Sequence, residues 1–261
     1  MSRSVGIVVP AYRPDPDRLT GYLRALLETV EPDALVVELD TPTQSTVTAL
    51  SALPPAVEVS TSPYRRGKGA AITAGFEHLD TDVLAFADAD GSTPATDLQT
   101  VIDRVATDAA DLAVGSRRHP DSTVHSHQTL ARRYLGDGFA LAGRLLLDAK
   151  LYDFQCGAKA IEAEAWDQVR EHIYEPGFAW DIELVAMAAA LDLRIEEVPI
   201  EWEDRPGSTV SPVRTTLSMG KALLVARHRA KQLRNDPIHR AIAAGRTEPT
   251  ALVDREEPPD E

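Results

Sequence analysis

The sequence predicts an α/β protein: a Rossmann-like, mostly parallel central sheet flanked by helices, followed by a basic amphipathic helix. Three observations carry this. Short apolar runs alternate with segments of helical periodicity. The runs are too uniformly apolar to have one wet face, as expected of strands covered on both sides. With 261 residues and 43% hydrophobic content, the chain can bury one sizeable core.

In order along the chain, a strand is expected at Val5–Val9 and a helix from Asp17 to Val30. Leu35–Leu39 and Val57–Ser60 are the next strands, with a helix at Thr43–Leu53 between them. A helix over Lys68–Leu79 leads to a strand at Val83–Phe86, then a helix over Thr96–Thr107 and a strand at Leu112–Val114. The second half is less regular. An amphipathic helix is expected over Thr129–Leu147 and a strand near Ile195–Ile200. Pro212–Arg234 reads as the basic amphipathic helix, and residues 236–261, ending in DREEPPDE, as a disordered acidic tail.

Charge narrows the setting. The formal net charge is −14, with 41 acidic residues against 27 basic ones, of which only 5 are lysine. An Asp-rich, Lys-poor surface suits a salt-rich cytosol, where screening quiets self-repulsion, and points to a halophilic archaeal source. Residues 205–240 run against this trend with eight cations and one anion, a local charge of +7 that suggests a surface meeting something anionic. Nucleic acid is not the expected partner, because aromatic residues make up 5% of the chain and the remaining surface is repulsive. No apolar run approaches membrane-spanning length, and Met1–Val9 lacks signal-peptide character, so a cytoplasmic protein is expected. The single cysteine, Cys156, excludes an internal disulfide and reads as buried packing.

Ligands of such sheets bind beyond the carboxyl ends of strands. Pro10-Ala-Tyr12, the Glu38–Asp40 region, Asp88-Ala-Asp90 and Gly115-Ser-Arg117 all fall at such ends and should meet in one crevice. Asp-x-Asp occurs three times, but only Asp88/Asp90 follows a buried strand. Two carboxylates there suit Mg²⁺ or Mn²⁺, which take one or two carboxylates plus diphosphate oxygens. The plainer alternative is a solvated turn capping the helix near Thr96. In YRRGKGAAITAG, residues 64–75, Gly67-Lys68-Gly69 opens a helix. Free N–H groups and a cation would then face the same crevice, which favours a phosphate-bearing ligand; an ordinary glycine-rich helix entry is the equal alternative.

The strings RGKGAA, FADADGS, GSRRH, DFQCGAKA, FAWDIEL and EVPIEWEDRPGSTVSP together resemble the dolichyl-phosphate β-glucosyltransferases and, more distantly, the dolichyl-phosphate mannose synthases. These are family 2 glycosyltransferases with the GT-A fold, and the similarity runs from about Val5 to Arg229. The resemblance implies a catalytic domain over residues 1–211, with a nucleotide-sugar part to about 118 and an acceptor part over 119–211. Residues 212–235 would be a helix lying on the membrane surface and 236–261 the tail.

The same resemblance implies site residues. Asp88 and Asp90 would hold the metal, with Asp90, Arg117 and Asp181 as the catalytic residues; Pro10, Tyr12, Gly67, Lys68 and Asp88 would line the donor site. Arg117, Arg133, Arg205 and Ser208 would grip the acceptor phosphate. Asp181 matches an acidic family position and is read as a sugar-hydroxyl ligand or a helix cap. The family's DDGS after the second strand is VVELDTPTQST here, so either Glu38 or Asp40 takes the place of the missing aspartate, and the nucleotide stays open. The implied activity is inverting transfer of a hexose, glucose from UDP-glucose, to dolichyl or polyprenyl phosphate at the cytoplasmic face of the membrane, feeding protein glycosylation. Alternatives are another nucleotide sugar, a non-lipid acceptor, or a non-catalytic nucleotide- or lipid-binding derivative. Attachment would fall to the apolar face of the basic helix (Leu217, Met219, Leu223, Leu224).

Overall fold

A computed structural model of the chain describes residues 3–125, 130–203, 212–245 and 249–255, with side chains described outside 125–137 and 212–218. The first half follows the expected rhythm: β1 (Val5–Tyr12), α1 (Pro16–Thr29), β2 (Ala34–Asp40), α2 (Gln44–Leu50), β3 (Val57–Ser62), α3 (Lys68–His78), β4 (Val83–Ala87), α4 (Ala95–Ala106) and β5 (Leu112–Ser116). Local chemistry sets several boundaries. Asp15 caps α1 by accepting from Arg18 N, and Pro16 occupies the first turn, where a missing N–H costs nothing. Thr43 does the same for α2 through Thr46 N.

The second half contributes β6 (Thr123–His125), α5 (Leu130–Leu146), β7 (Ala158–Glu162), α6 (Ala163–Val169), α7 (Trp180–Ala190), β8 (Ile195–Pro199), β9 (Glu201–Glu203), α8 (Pro212–Leu233) and α9 (Pro237–Ala243). The main sheet has seven strands in the order β3-β2-β1-β4-β7-β5-β8, and β6 and β9 form a small parallel pair beside it. Every pairing in the main sheet is parallel except those of β7, which runs antiparallel between β4 and β5. Alternate residues feed two cores, as the pleat requires. Val8, Leu84 and Phe86 face the layer with α3, α6 and α7, whereas Ile7, Val9, Val83 and Ala85 face the layer with α1 and α4. All of α7 is buried, and its Trp180 meets Phe86 edge-on at 5.5 Å.

Two expectations for the C-terminal part are corrected. Met219, Leu223 and Ala226 of α8 are buried in the same core as α7, so this side of the helix is not a free membrane-facing surface. Its cations also answer to the protein's own acids and carbonyls: Arg229 pairs with Glu183, Lys231 and Arg234 with Asp148, and Arg227 donates to Leu146 O at 2.6 Å. Nor is residue 236 onward uniformly disordered. Asp236 caps α9 by accepting from Ile238 N and His239 N. Leu252 is buried and donates its N–H to Ile173 O at 2.8 Å. Apolar anchoring there outweighs the acidic composition, whose densest run, 256–261, lies outside the described residues.

Candidate active site at the strand ends

The register sets the crevice. Pro10 pairs with Glu38 and Tyr12 with Asp40, so β1 and β2 end level with each other. Five buried residues of β4 deliver Asp88 to the same edge. The Asp88 N–H donates to Gly157 O at 2.9 Å, and a Cβ on Gly157 would sit 1.9 Å from Asp88 Oδ2. Only glycine at 157 lets β7 enter this close to the carboxylate. The chain then turns through Gly91 at φ 62°, with Ser92 N donating to Asp90 Oδ1 at 2.9 Å. Glu203 N donates to Ser92 O at 3.2 Å and ties β9 to this turn. The helix that follows starts on Pro94 without a side-chain cap, so capping does not explain the carboxylate pair.

Lys68 opens α3 and reaches two carboxylates, Asp88 Oδ1 at 2.9 Å and Asp181 Oδ2 at 3.0 Å. Asp181 also accepts from Lys159 Nζ at 2.5 Å, deep in the sheet. Burial opposes the charge on Lys68, yet Asp181 and Asp88 hold its pKa above the ordinary lysine value. Burial likewise works to raise the Asp181 carboxyl, but Lys159 and Lys68 bring it below the usual range. Asp181 is thus an ionised, fully engaged carboxylate rather than a helix cap; the N-cap of α7 is Ala179.

The glycines beside Lys68 have a packing role. A Cβ on Gly67 would come within 2.5 Å of Pro176 O, and one on Gly69 within 2.5 Å of Glu175 O. Gly67 N donates to Asp40 Oδ2 at 3.1 Å and Ala70 N to Pro176 O at 3.0 Å. The expected cradle of free N–H groups is therefore partly occupied by the protein itself, and Lys68 is the group presented to the carboxylates. Glu38 and Asp40 are buried and held by Arg66, at 2.7 and 2.8 Å. Tyr12, exposed at the end of β1, is flanked by the guanidinium groups of Arg65 at 4.3 Å and Arg13 at 5.4 Å from its ring centre.

Arg117, just past β5, forks onto Asp153 through Nε at 2.6 Å and Nη2 at 3.0 Å. Burial alone would raise the Asp153 carboxyl, but the charge and hydrogen bonds of Arg117 lower it to about 2. Asp153 is itself placed by its N–H, which donates to Glu197 Oε1 at 2.8 Å. Burial opposes the charge on Arg117, but Asp153 above all, with a smaller contribution from Asp88, holds its pKa above the ordinary arginine value. Cys156 is packing, as expected: burial, with the Asp153 charge adding, pushes its thiol up to about 12.

The strand-end crevice therefore gathers Pro10, Tyr12, Glu38, Asp40, Gly67, Lys68, Asp88, Asp90, Arg117 and Asp181. The Arg133 side chain, Arg205 and Ser208 lie outside the described residues. Sequence reasoning missed Lys159, Asp153, Arg66 and Gly157. Asp153, Gly157 and Lys159 stand in DFQCGAKA, where a lysine inside an apolar run was the available signal.

The two aspartates fit a divalent cation. Both offer hard oxygens at a solvent-facing turn, with Asp90 exposed and the Asp88 side chain 37% exposed. Tyr22 Oη is buried without a hydrogen-bond partner, and burial first, then the charges of Asp88 and Asp90, holds its pKa above the ordinary tyrosine value. Among the described residues no third acidic, His or Cys side chain completes a cluster, which leaves the remaining positions to water and ligand oxygens.

The sequence profile described as Glycosyl transferase family 2 matches residues 6–169. Glycosyltransferase AglD of Haloferax volcanii is 30% identical over 232 residues, covering 84% of this chain and 36% of that protein. The dolichyl-phosphate beta-glucosyltransferase of Saccharomyces cerevisiae is 30% identical over 173 residues, 62% of this chain and 52% of that one. The chain thus spans between about a third and a half of the length of these relatives. Among solved structures, glucosyl-3-phosphoglycerate synthase from Mycobacterium tuberculosis, in complex with Mn²⁺, UDP and phosphoglyceric acid, superposes with a TM-score of 0.62 at 18% identity, covering 86% of this chain and 78% of that one. That likeness shows the expected GT-A fold. With a profile match over more than half its length, from β1 through β7 to the end of α6, the chain belongs to glycosyl transferase family 2.

Proposed function

We propose that the protein is a metal-dependent, inverting glycosyltransferase that moves glucose from UDP-glucose to dolichyl or polyprenyl phosphate. The observation that carries this is that the Asp88/Asp90 pair, with the Lys68 ammonium on Asp88, follows β4 and the Arg117 guanidinium follows β5 on the same edge of the sheet. Asp88 and Asp90 would hold Mg²⁺ or Mn²⁺, which when bound neutralises charge on the departing diphosphate. An acceptor phosphate, with a second pKa near ~6, is already ionised at neutral pH and needs no general base. One phosphate oxygen forms a bond to the anomeric carbon while the bond from that carbon to the diphosphate breaks, its electron pair leaving with UDP. Arg117, its fork held by Asp153, would steer the phosphate. Arg133, Arg205 and Ser208 are proposed as further acceptor ligands.

Asp181, engaged by two lysines, positions Lys68 rather than removing a proton. Pro10 and Tyr12 would border the donor, with Glu38 and Asp40 acting through Arg66 and the loop it anchors. The relatives named for dolichyl phosphate support a lipid acceptor. Among the described residues no helix is long and apolar enough to cross a membrane. Contact with the cytoplasmic membrane face is assigned to exposed Leu141 and Leu145 of α5 and Leu224 of α8, whose relative exposures are 58%, 74% and 58%.

The test is incubation with vesicles containing polyprenyl phosphate and a panel of labelled nucleotide sugars, with and without chelator, followed by lipid extraction. Label from UDP-glucose should enter the organic phase and vanish on metal removal. Label that stays with a water-soluble acceptor, or transfer unaffected by chelation, would overturn the reading.

A further inference from the structure

Lys68 stands where a divalent cation would also be drawn. Its ammonium is 2.9 Å from Asp88 Oδ1, on one of the two carboxylates that fit the metal. Behind it, Asp181 accepts from Lys68 at 3.0 Å and from Lys159 at 2.5 Å, and Lys159 also donates to Cys156 O at 2.7 Å. From the crevice inward the charges alternate, Asp88, Lys68, Asp181, Lys159, and cancel. Asp181 and Lys159 are buried to about one hundredth exposure and held from several sides, whereas Asp88 is more than a third exposed. The inner pair is fixed, and the outer ion pair is the one a ligand can break.

We propose that Lys68 is a resident counter-ion that competes with the divalent cation for Asp88 and is released toward the donor diphosphate when metal and nucleotide enter together. Two cations crowded on one carboxylate repel, so the free protein binds metal weakly. A diphosphate relieves this by giving the ammonium an anion in place of Asp88, beside Asp181. Asp181 sets the strength of the competition, because it shares the charge of Lys68, and Lys159 in turn shares that of Asp181. Lys68 would thereby couple metal binding to nucleotide binding. This inference rests on the metal-dependent reading above.

The experiment titrates Mn²⁺ into the full chain without nucleotide, following free Mn²⁺ by electron paramagnetic resonance, and then measures UDP binding at saturating Mn²⁺. Lys68→Met, which keeps length but removes charge, should bind Mn²⁺ roughly tenfold more tightly than wild type while binding UDP more weakly. Asp181→Asn, which leaves two lysines short of a counter-charge, should shift Mn²⁺ affinity the other way. A lysine with only a structural role would lower both affinities together in Lys68→Met. Equal or weaker Mn²⁺ binding by Lys68→Met, or no detectable binding by either protein, overturns the proposal. If circular dichroism shows that Lys68→Met does not fold, Lys68→Gln decides: tighter Mn²⁺ binding supports competition, and equal or weaker binding overturns it. Wild type that takes no Mn²⁺ even with UDP present would instead remove the metal-dependent reading, a separate result.

Discussion

Asp90 and Gly157 act on the same site in different ways. Asp90→Ala removes an exposed carboxylate of the pair and should lower transfer at least ~100-fold with little change in melting temperature. Gly157→Ala puts a methyl group 1.9 Å from Asp88 Oδ2. It should cut turnover and cost about 1–3 kcal/mol, whereas Gly138→Ala, with nothing within 4 Å of its new Cβ, should leave stability unchanged or improved. Thermal melts and kcat separate the two. Arg117→Ala should raise acceptor KM about tenfold more than donor KM, since the guanidinium that Asp153 holds is the proposed phosphate contact. Its partner Asp153 has a folded pKa of about 2 against an ordinary 3.8. The stabilisation from that depressed pKa is present above pH 4 and is lost as pH falls toward 2. Acid unfolding of Asp153→Asn should lack that limb, and an unchanged pH profile would sink the assignment. Asp88, Asp90 and Arg117 were legible because they end apolar strands. Lys159 was only half legible: a single lysine in the apolar AKAIE signals a buried charge, but not that its partner will be a carboxylate from α7.

At the level of elements, α1 to α5 and α8 lie within a few residues of their expected spans, because caps, prolines and 3.6-residue periodicity are local signals. β7 escaped the reading. Its five residues look like part of an irregular segment, and its antiparallel insertion between β4 and β5 is set by the chain's path through the second half. The face of α8 was equally illegible, since an amphipathic helix shows a stripe but not what covers it. Leu223→Ala should therefore cost about 2–4 kcal/mol in urea unfolding, a core-sized loss. Leu224→Ala, on an exposed position, should stay within about 0.5 kcal/mol while reducing vesicle binding. Equal stability losses in the two variants would contradict the packing of α8.

For the molecule as a whole, a net charge of −14 spreads repulsion over a surface whose basic helix is already engaged by Glu183 and Asp148. KCl should raise the melting temperature progressively toward molar concentrations, where the screening length falls to ~3 Å. A flat curve by scanning calorimetry would show that the acidic surface carries no such dependence. The same pairing of α8 cations implies that membrane attachment, if driven by Leu141, Leu145 and Leu224, should survive high salt, which a purely electrostatic contact would not.

The sequence by itself determined the layered α/β architecture, the carboxylates at the end of β4 and the arginine at the end of β5, because strand periodicity and strand ends are written locally. Only the tertiary structure decided that β7 threads between β4 and β5 and brings Gly157 against Asp88. It also decided that Asp181 joins Lys68 to Lys159, and that α8 covers the core. Those contacts join residues up to 113 positions apart, and their energies come from burial and charge pairing that no local pattern encodes.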